Sequence, residues 1–369
     1  MARPRTVYRG RRRYRWILTL ILFLVAIALV ASVWLFYHLQ TYIEYDKESI
    51  KLAVPFLPER QQDDGEDESE DATYDFEIHE PVQAEIVVGA TDYSTKQTTA
   101  GQGLSSIKGY YIYGDYVSAS SIEYYVKKTL HEQKGAVILQ LKKPDGSLCY
   151  LSGVSNVSSY GVNGIQMIDE AVAAAKESGV YMAAEISTLL DTMMAERNAP
   201  ISLKDSATGF PAKNEQGAWL DPYNDGTREY IAGIIRELAT LGFDEVILSN
   251  LVFPQIDGIS YSQAMSGAPD RVSAISSFAF AMREVADEAG IKLSVKCDEP
   301  SLRFGSSVSI GQDISIFFRA FDRVYFESSA DYLMSDSTSL SGYLGRLDQD
   351  RIVPMFSGQA PEWASYVIR

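Results

Sequence analysis

From residue 107 onward the chain alternates two patterns. Short apolar runs are separated by longer segments in which apolar residues recur every three or four positions. The runs read as strands at Lys108–Tyr113, Ala136–Leu141, Tyr181–Ile186, Glu245–Ser249, Lys292–Cys297, Arg323–Phe326 and Arg351–Met355. The periodic segments read as helices at Ser121–Gln133, Ile165–Ser178, a stretch ending at Leu241, and Arg271–Ala289. In the third of these, Tyr230, Ile231, Ile234, Ile235, Leu238 and Leu241 form one apolar face. Asn224 or Asp225 caps its start and Gly242 stops it. Pro144-Asp145-Gly146 marks a turn, and a short return strand is expected at Leu148–Ser152. Residues 85–90 read as a strand outside the repeat, because a Ser/Thr/Gly-rich loop (91–106) follows it.

Repeated strand–helix alternation builds a parallel sheet covered by helices. The expected fold is therefore α/β, a (β/α)8 TIM barrel over residues 83–369, irregular in its eighth unit. After the seventh strand, either Ser365–Arg369 closes the barrel as a short strand without its usual preceding helix, or the barrel stays open there. The closing strand is the favoured reading.

The N-terminal part follows different rules. Residues 1–16 hold seven arginines and no acid, and residues 17–36 carry no charge. Twenty helical residues span about 30 Å, the thickness of a hydrocarbon core. Trp16, Trp34 and Tyr37 sit where interfacial aromatics sit, and the arginines place the N-terminus in the cytoplasm. A retained signal-anchor at 17–37 is expected. Cleavage near Val30-Ala31-Ser32 is the alternative, although the apolar run continues past it. This reading puts the barrel outside the cell membrane. Residues 38–82 read as an acidic, disordered linker, with seven acids and no base in 62–71; a metal-binding tract is its alternative. The formal net charge is −16, and without the seven N-terminal arginines it falls to about −23. Such a surface argues against nucleic acid as a partner and fits a neutral or basic ligand.

The chain lacks the parts of several chemistries. Its three histidines are scattered: His38 borders the membrane span, His79 lies in the linker and His131 ends a helix. Two cysteines, Cys149 and Cys297, on strands far apart in a barrel, are not expected to bond. No metal site, no cofactor, no Ser-His-Asp triad and no phosphate loop is expected.

Several motifs carry a resemblance: Ile107-Lys108-Gly109-Tyr110-Tyr111, the Lys142 to Gly146 turn, Trp219-Leu220-Asp221-Pro222, Leu241-Gly242-Phe243-Asp244-Glu245, and Phe253-Pro254. Over residues 105–360 the chain resembles a bacterial family of glycoside-hydrolase-like (β/α)8 barrels related to the alpha-amylase-like enzymes. The resemblance implies a polysaccharide or cell-envelope glycan as ligand and hydrolysis of O-glycosyl bonds as the reaction. The chain also departs from that family. Ser249 stands where the family's fourth strand ends in a carboxylate, and Val252 where it has an arginine. Gln140 stands in place of an Asp and Glu185 in place of an Arg.

Polar residues at the carboxyl ends of the strands are the candidates for chemistry, because that face of such barrels holds the site. Glu185, Asp298 and Glu327 are the candidate catalytic carboxyls, since glycoside hydrolysis needs two. Each has a plainer role available. Glu185 could pair with Lys296, Asp298 and Glu299 could belong to a turn before Pro300, and Glu327 could cap a loop. Candidate ligand contacts are Gln140, Ser249, Asn250, Trp219, Asp221 and Tyr223, with Trp363 a further aromatic able to stack on a sugar. Asp221 before Pro222 also fixes a turn. The long loop 187–223 is expected to wall the site. Three readings stay open: a hydrolase, a glycan-binding or envelope-scaffold barrel without catalysis, and a purely structural module.

Overall fold

The computed structural model of the chain describes residues 43–46, 49–52, 98–260, 271–329, 349–360 and 362–369. The basic segment, the expected membrane span at 17–37, the acidic tract, His38, His79 and the strand expected at 85–90 lie outside these residues. Among the described residues no helix is long and apolar enough to cross a membrane. The chain divides into two units, Met1–Ala84 and Glu85–Arg369. In the first, Ile43–Asp46 and Ser49–Leu52 pair as an antiparallel hairpin, within the stretch read as linker.

The second unit is a closed barrel of eight parallel strands. These are β1 Lys108–Ile112, β2 Ala136–Lys142, β3 Tyr181–Ser187, β4 Glu245–Ser249, β5 Lys292–Lys296, β6 Val324–Ser328, β7 Ile352–Phe356 and β8 Tyr366–Ile368. Each pairs with its sequence neighbours, and β8 pairs with β1 to close the ring. The larger helices are α1 Ala119–His131, α2 Asp169–Glu177, α3 Asp225–Leu241, α4 Arg271–Ala289 and α5 Ile314–Ala320. The Asn224 side chain accepts from Gly226 N at the start of α3, and Gly242 ends it at φ +96°, a conformation that favours glycine.

Two expectations need correction. Leu148–Ser152 is not a return strand; it makes one antiparallel bridge, Leu148 to Lys142. The second helix begins at Asp169 rather than Ile165. One cause explains both. Leu148 N and Leu151 N donate to Val162 O and Gln166 O, and Gly164 N donates to Tyr150 O. The segment thus pairs with residues 162–166, and those residues are held extended instead of starting the helix.

The barrel strands obey a period of two. Ile138, Ala183, Ile247, Tyr325, Val353, Met355 and Val367 fill the lumen, whereas Val137, Leu139, Ala184, Val246 and Leu248 face the helices. Carrying that parity to the strand ends predicts what stands at each mouth. At the amino end, Glu245 accepts from Arg323 Nη1 (2.7 Å), Tyr181 Oη (2.8 Å) and Tyr325 Oη (3.0 Å), with Glu245, Arg323 and Tyr325 buried and Tyr181 partly so. This ion pair plugs the bottom of the lumen. The top is reached by Tyr111, Gln140, Glu185, Ser249, Lys296, Glu327 and Arg369, on the same parity.

Candidate functional site

Those seven inward positions line a cleft of about 950 Å³ at the carboxyl ends of the strands. Loops complete it: Tyr113 after β1, Asn214, Glu215, Gln216 and Trp219 from the 187–223 loop, Asn250 and Val252 to Gln255 after β4, and Asp298 after β5.

Lys296 is the electrostatic centre. Its ammonium lies 2.8 Å from Glu327 Oε1 and 3.6 Å from Glu185 Oε1. The two carboxylate oxygens are therefore no farther apart than these distances laid end to end, 6.4 Å. Burial alone would lower the Lys296 pKa, but the charge of Glu185 and the hydrogen bond to Glu327 outweigh it and raise it. Glu327 also meets Arg369 Nη1 at 2.6 Å. Burial pushes the Glu327 pKa up, yet the Lys296 hydrogen bond and both cations hold it below its usual value. Asp298 moves the other way. It is reached by solvent, but the surrounding protein desolvates it enough to raise its pKa against the charge of Lys296.

Glu185 is only 2 % exposed, and its Oε2 has no protein hydrogen-bond partner. The Tyr111 phenol presses on it; burial first, and then the Glu185 charge, drive that phenol's pKa far above its ordinary value. A buried carboxylate oxygen without a donor is costly, and it marks Glu185 as a strained point of the cleft wall. Cys297 lies beside these groups as a buried free thiol, its pKa pushed up by burial. Cys149 is also free.

The structure thus gathers Gln140, Glu185, Trp219, Ser249, Asn250, Asp298 and Glu327 around one cleft. It leaves Asp221 and Tyr223 outside the lining. Asp221 is fully buried, and its carboxylate accepts from Tyr223 N at 2.9 Å, fixing the turn that leads into α3. Trp219, although it borders the cleft, is 1 % exposed and donates from Nε1 to Asn214 Oδ1. Its ring is walled in and offers no free face to a sugar. Trp363 packs against the core and is likewise outside the lining. Gln140 uses its carbonyl oxygen on the backbone, accepting from Gly114 N at 3.0 Å. Asn250 holds positive φ and donates to Ser187 Oγ, tying β4 to β3.

The 187–223 loop is a small folded layer. Asp191 anchors it, receiving Lys142 Nζ at 2.8 Å with both side chains fully buried, and Tyr230 Oη at 3.2 Å. Gly146 packs so closely that a Cβ there would meet Asp191 Oδ1 at 1.9 Å. The Asp-Gly turn after β2 is thus a clamp on this wall.

Tyr111, Tyr113 and Arg369 are site residues that the sequence reading passed over. The inward parity of β1 and β8 marks Tyr111 and Arg369. Nothing local marks Arg369 as a partner of Glu327. Among the described residues, no group of three His, Cys, Asp or Glu side chains is arranged to hold a metal ion.

Residues 109–325 match the family described as "Putative glycosyl hydrolase domain". No curated protein matches the sequence. Among solved structures, the chain is similar to the PgaB (BpsB) glycoside hydrolase domain from Bordetella bronchiseptica. The identity is 13%, over 72% of this chain and 94% of that one, with a TM-score of 0.53. It is also similar to a hypothetical protein from Ruminiclostridium thermocellum, at 23% identity over 51% of this chain and 96% of that one, with a TM-score of 0.45. At 13% identity the likeness to the Bordetella domain speaks to fold alone.

Proposed function

The chain belongs to the glycosyl hydrolase domain family that residues 109–325 match, and on that premise we propose that its cleft binds a polysaccharide or cell-envelope glycan and hydrolyses its glycosidic bonds. The observation that carries the reading is the convergence of Glu185 and Glu327 on Lys296 at the cleft floor, within 6.4 Å of each other. Carboxyl groups of glycosidases work as such close pairs, about 5–5.5 Å apart in retaining enzymes and about 6.5–9.5 Å in inverting ones. The environments also divide the labour. Asp298, with its raised pKa, is suited to protonate the leaving oxygen, and Glu327, held ionised, to stabilise positive charge developing on the sugar. Glu185 is the central charged residue, facing Lys296 from the buried side of the cluster.

Membrane anchorage and an extracellular barrel belong to the same proposal. They are supported by the arginine-rich segment and the uncharged run 17–36.

The test measures both binding and release of reducing ends on soluble oligosaccharides of cellulose, chitin and deacetylated chitin. Glu185→Gln should abolish turnover and leave binding largely intact, because Gln keeps the shape but removes the negative charge at the centre of the cluster. A second reading, glycan binding without cleavage, is favoured by one feature: Lys296 and Arg369 engage the two carboxylates. It predicts binding without reducing ends, and a cost of about 1–3 kcal/mol in affinity for Glu185→Gln. Absence of binding to every oligosaccharide in the set would refute both readings.

A further inference from the structure

Four aromatic residues line the cleft: Tyr111, Tyr113, Trp219 and Phe253. Three of them are closed off, at 4%, 1% and 0% exposure for Tyr111, Trp219 and Phe253. Tyr113 is 42% exposed. Its ring stands edge-on to that of Tyr111, with centroids 5.0 Å apart and an interplanar angle of 83°. Tyr111 in turn presses on Glu185. An accessible aromatic face therefore lies one ring away from the buried Glu185 carboxylate, whose other oxygen faces Lys296.

The backbone beneath Tyr113 is held rigidly. Tyr116 N donates to Tyr113 O at 2.9 Å, and the following amide, Gly114 N, donates to Gln140 Oε1 at 3.0 Å. Gly114 packs so tightly that a Cβ would lie 2.5 Å from Cys149 Sγ. A ring on such a base loses little further freedom when a ligand covers it. The C–H face of a pyranose is apolar and its rim carries hydroxyls, which matches an aromatic face beside a carboxylate acceptor.

We infer that Tyr113 is the stacking platform of the cleft, carrying a pyranose ring whose polar rim faces the Lys296–Glu327 pair that lines the same cleft. The inference rests on the glycan reading above and adds the residue that selects for ring-shaped, hydroxyl- or amine-bearing ligands. It also gives Gln140 a role: its amide oxygen accepts from Gly114 N and holds the platform.

The experiment titrates cellohexaose, N-acetylchitohexaose and its deacetylated form into the full chain by calorimetry, with Tyr113→Ala, Tyr113→Phe and Tyr113→Trp alongside. Tyr113→Ala should weaken the best-bound sugar about tenfold, while Phe and Trp, which keep a ring, should stay within about twofold. If Tyr113→Ala fails to fold, tyrosine ring-labelled wild type serves instead, and the Tyr113 ring resonances should shift on titration. Equal binding by wild type and Tyr113→Ala, an equal loss in Tyr113→Phe, or an unmoved ring resonance overturns the platform and leaves the glycan reading standing. A wild type that binds none of the three sugars overturns both.

Discussion

The plug at the amino end of the barrel gives a sharp stability prediction. Glu245 is fully buried and, among the described residues, is the carboxylate that pairs with Arg323, itself 1% exposed. Glu245→Ala removes the 2.7 Å ion pair and takes the acceptor from both Tyr181 and Tyr325. Arg323 keeps Tyr181 Oη at 3.2 Å and Ser105 O at 3.0 Å, neither of which neutralises its charge. Breaking one side of a buried pair costs about 3–5 kcal/mol, a large share of a domain's total of about 5–15 kcal/mol. Removing both sides should cost less, since a well-packed apolar pair of similar volume is often as stable. Urea unfolding followed by near-ultraviolet circular dichroism, on Glu245→Ala, Arg323→Met and the double variant Glu245→Met with Arg323→Met, reads this directly. The reasoning fails if the single variants lie within about 1 kcal/mol of wild type, or if the double variant is no more stable than either single one.

Three further outcomes are expected. Asp191→Ala should destabilise by about 3–5 kcal/mol, because Lys142 is left fully buried without its counter-charge; limited proteolysis should then cut first within 187–223, and unchanged cleavage would count against the clamp. Acid should weaken the barrel through Asp322: burial pushes its pKa up, but the Gly101 amide and Arg283 outweigh this and lower it. Its contribution is therefore fully present above the unfolded carboxyl value of about 3.9 and is lost as pH falls through the lower folded value. Urea midpoints for wild type should drop below that pH, and Asp322→Asn should flatten the drop; an unchanged slope would exclude Asp322 as its source. Finally, membrane-bound protein should retain its arginine-rich N-terminus on sequencing, and a mature chain starting near Val33 would show cleavage instead of anchorage.

The sequence by itself determined the repeating architecture. Apolar runs and helical periodicities report local geometry, so β4 and α4 fall at the residues expected, Glu245–Ser249 and Arg271–Ala289. It also determined the face where polar residues gather, because period-two parity places Gln140, Glu185, Ser249 and Glu327 inward at the strand ends. Pairing across the barrel was beyond it. The Glu185–Lys296 contact was visible only as one of two roles, and although Ser365–Arg369 was expected as the closing strand, nothing in it marked Arg369 as the partner of Glu327. Tertiary structure alone decided which aromatic remains free. Trp219 and Tyr113 look equally able to stack on a sugar, but the folded 187–223 layer encloses Trp219, while the short turn after β1 leaves Tyr113 open. Burial of a side chain depends on what distant segments cover it, and neither spacing nor residue type records that.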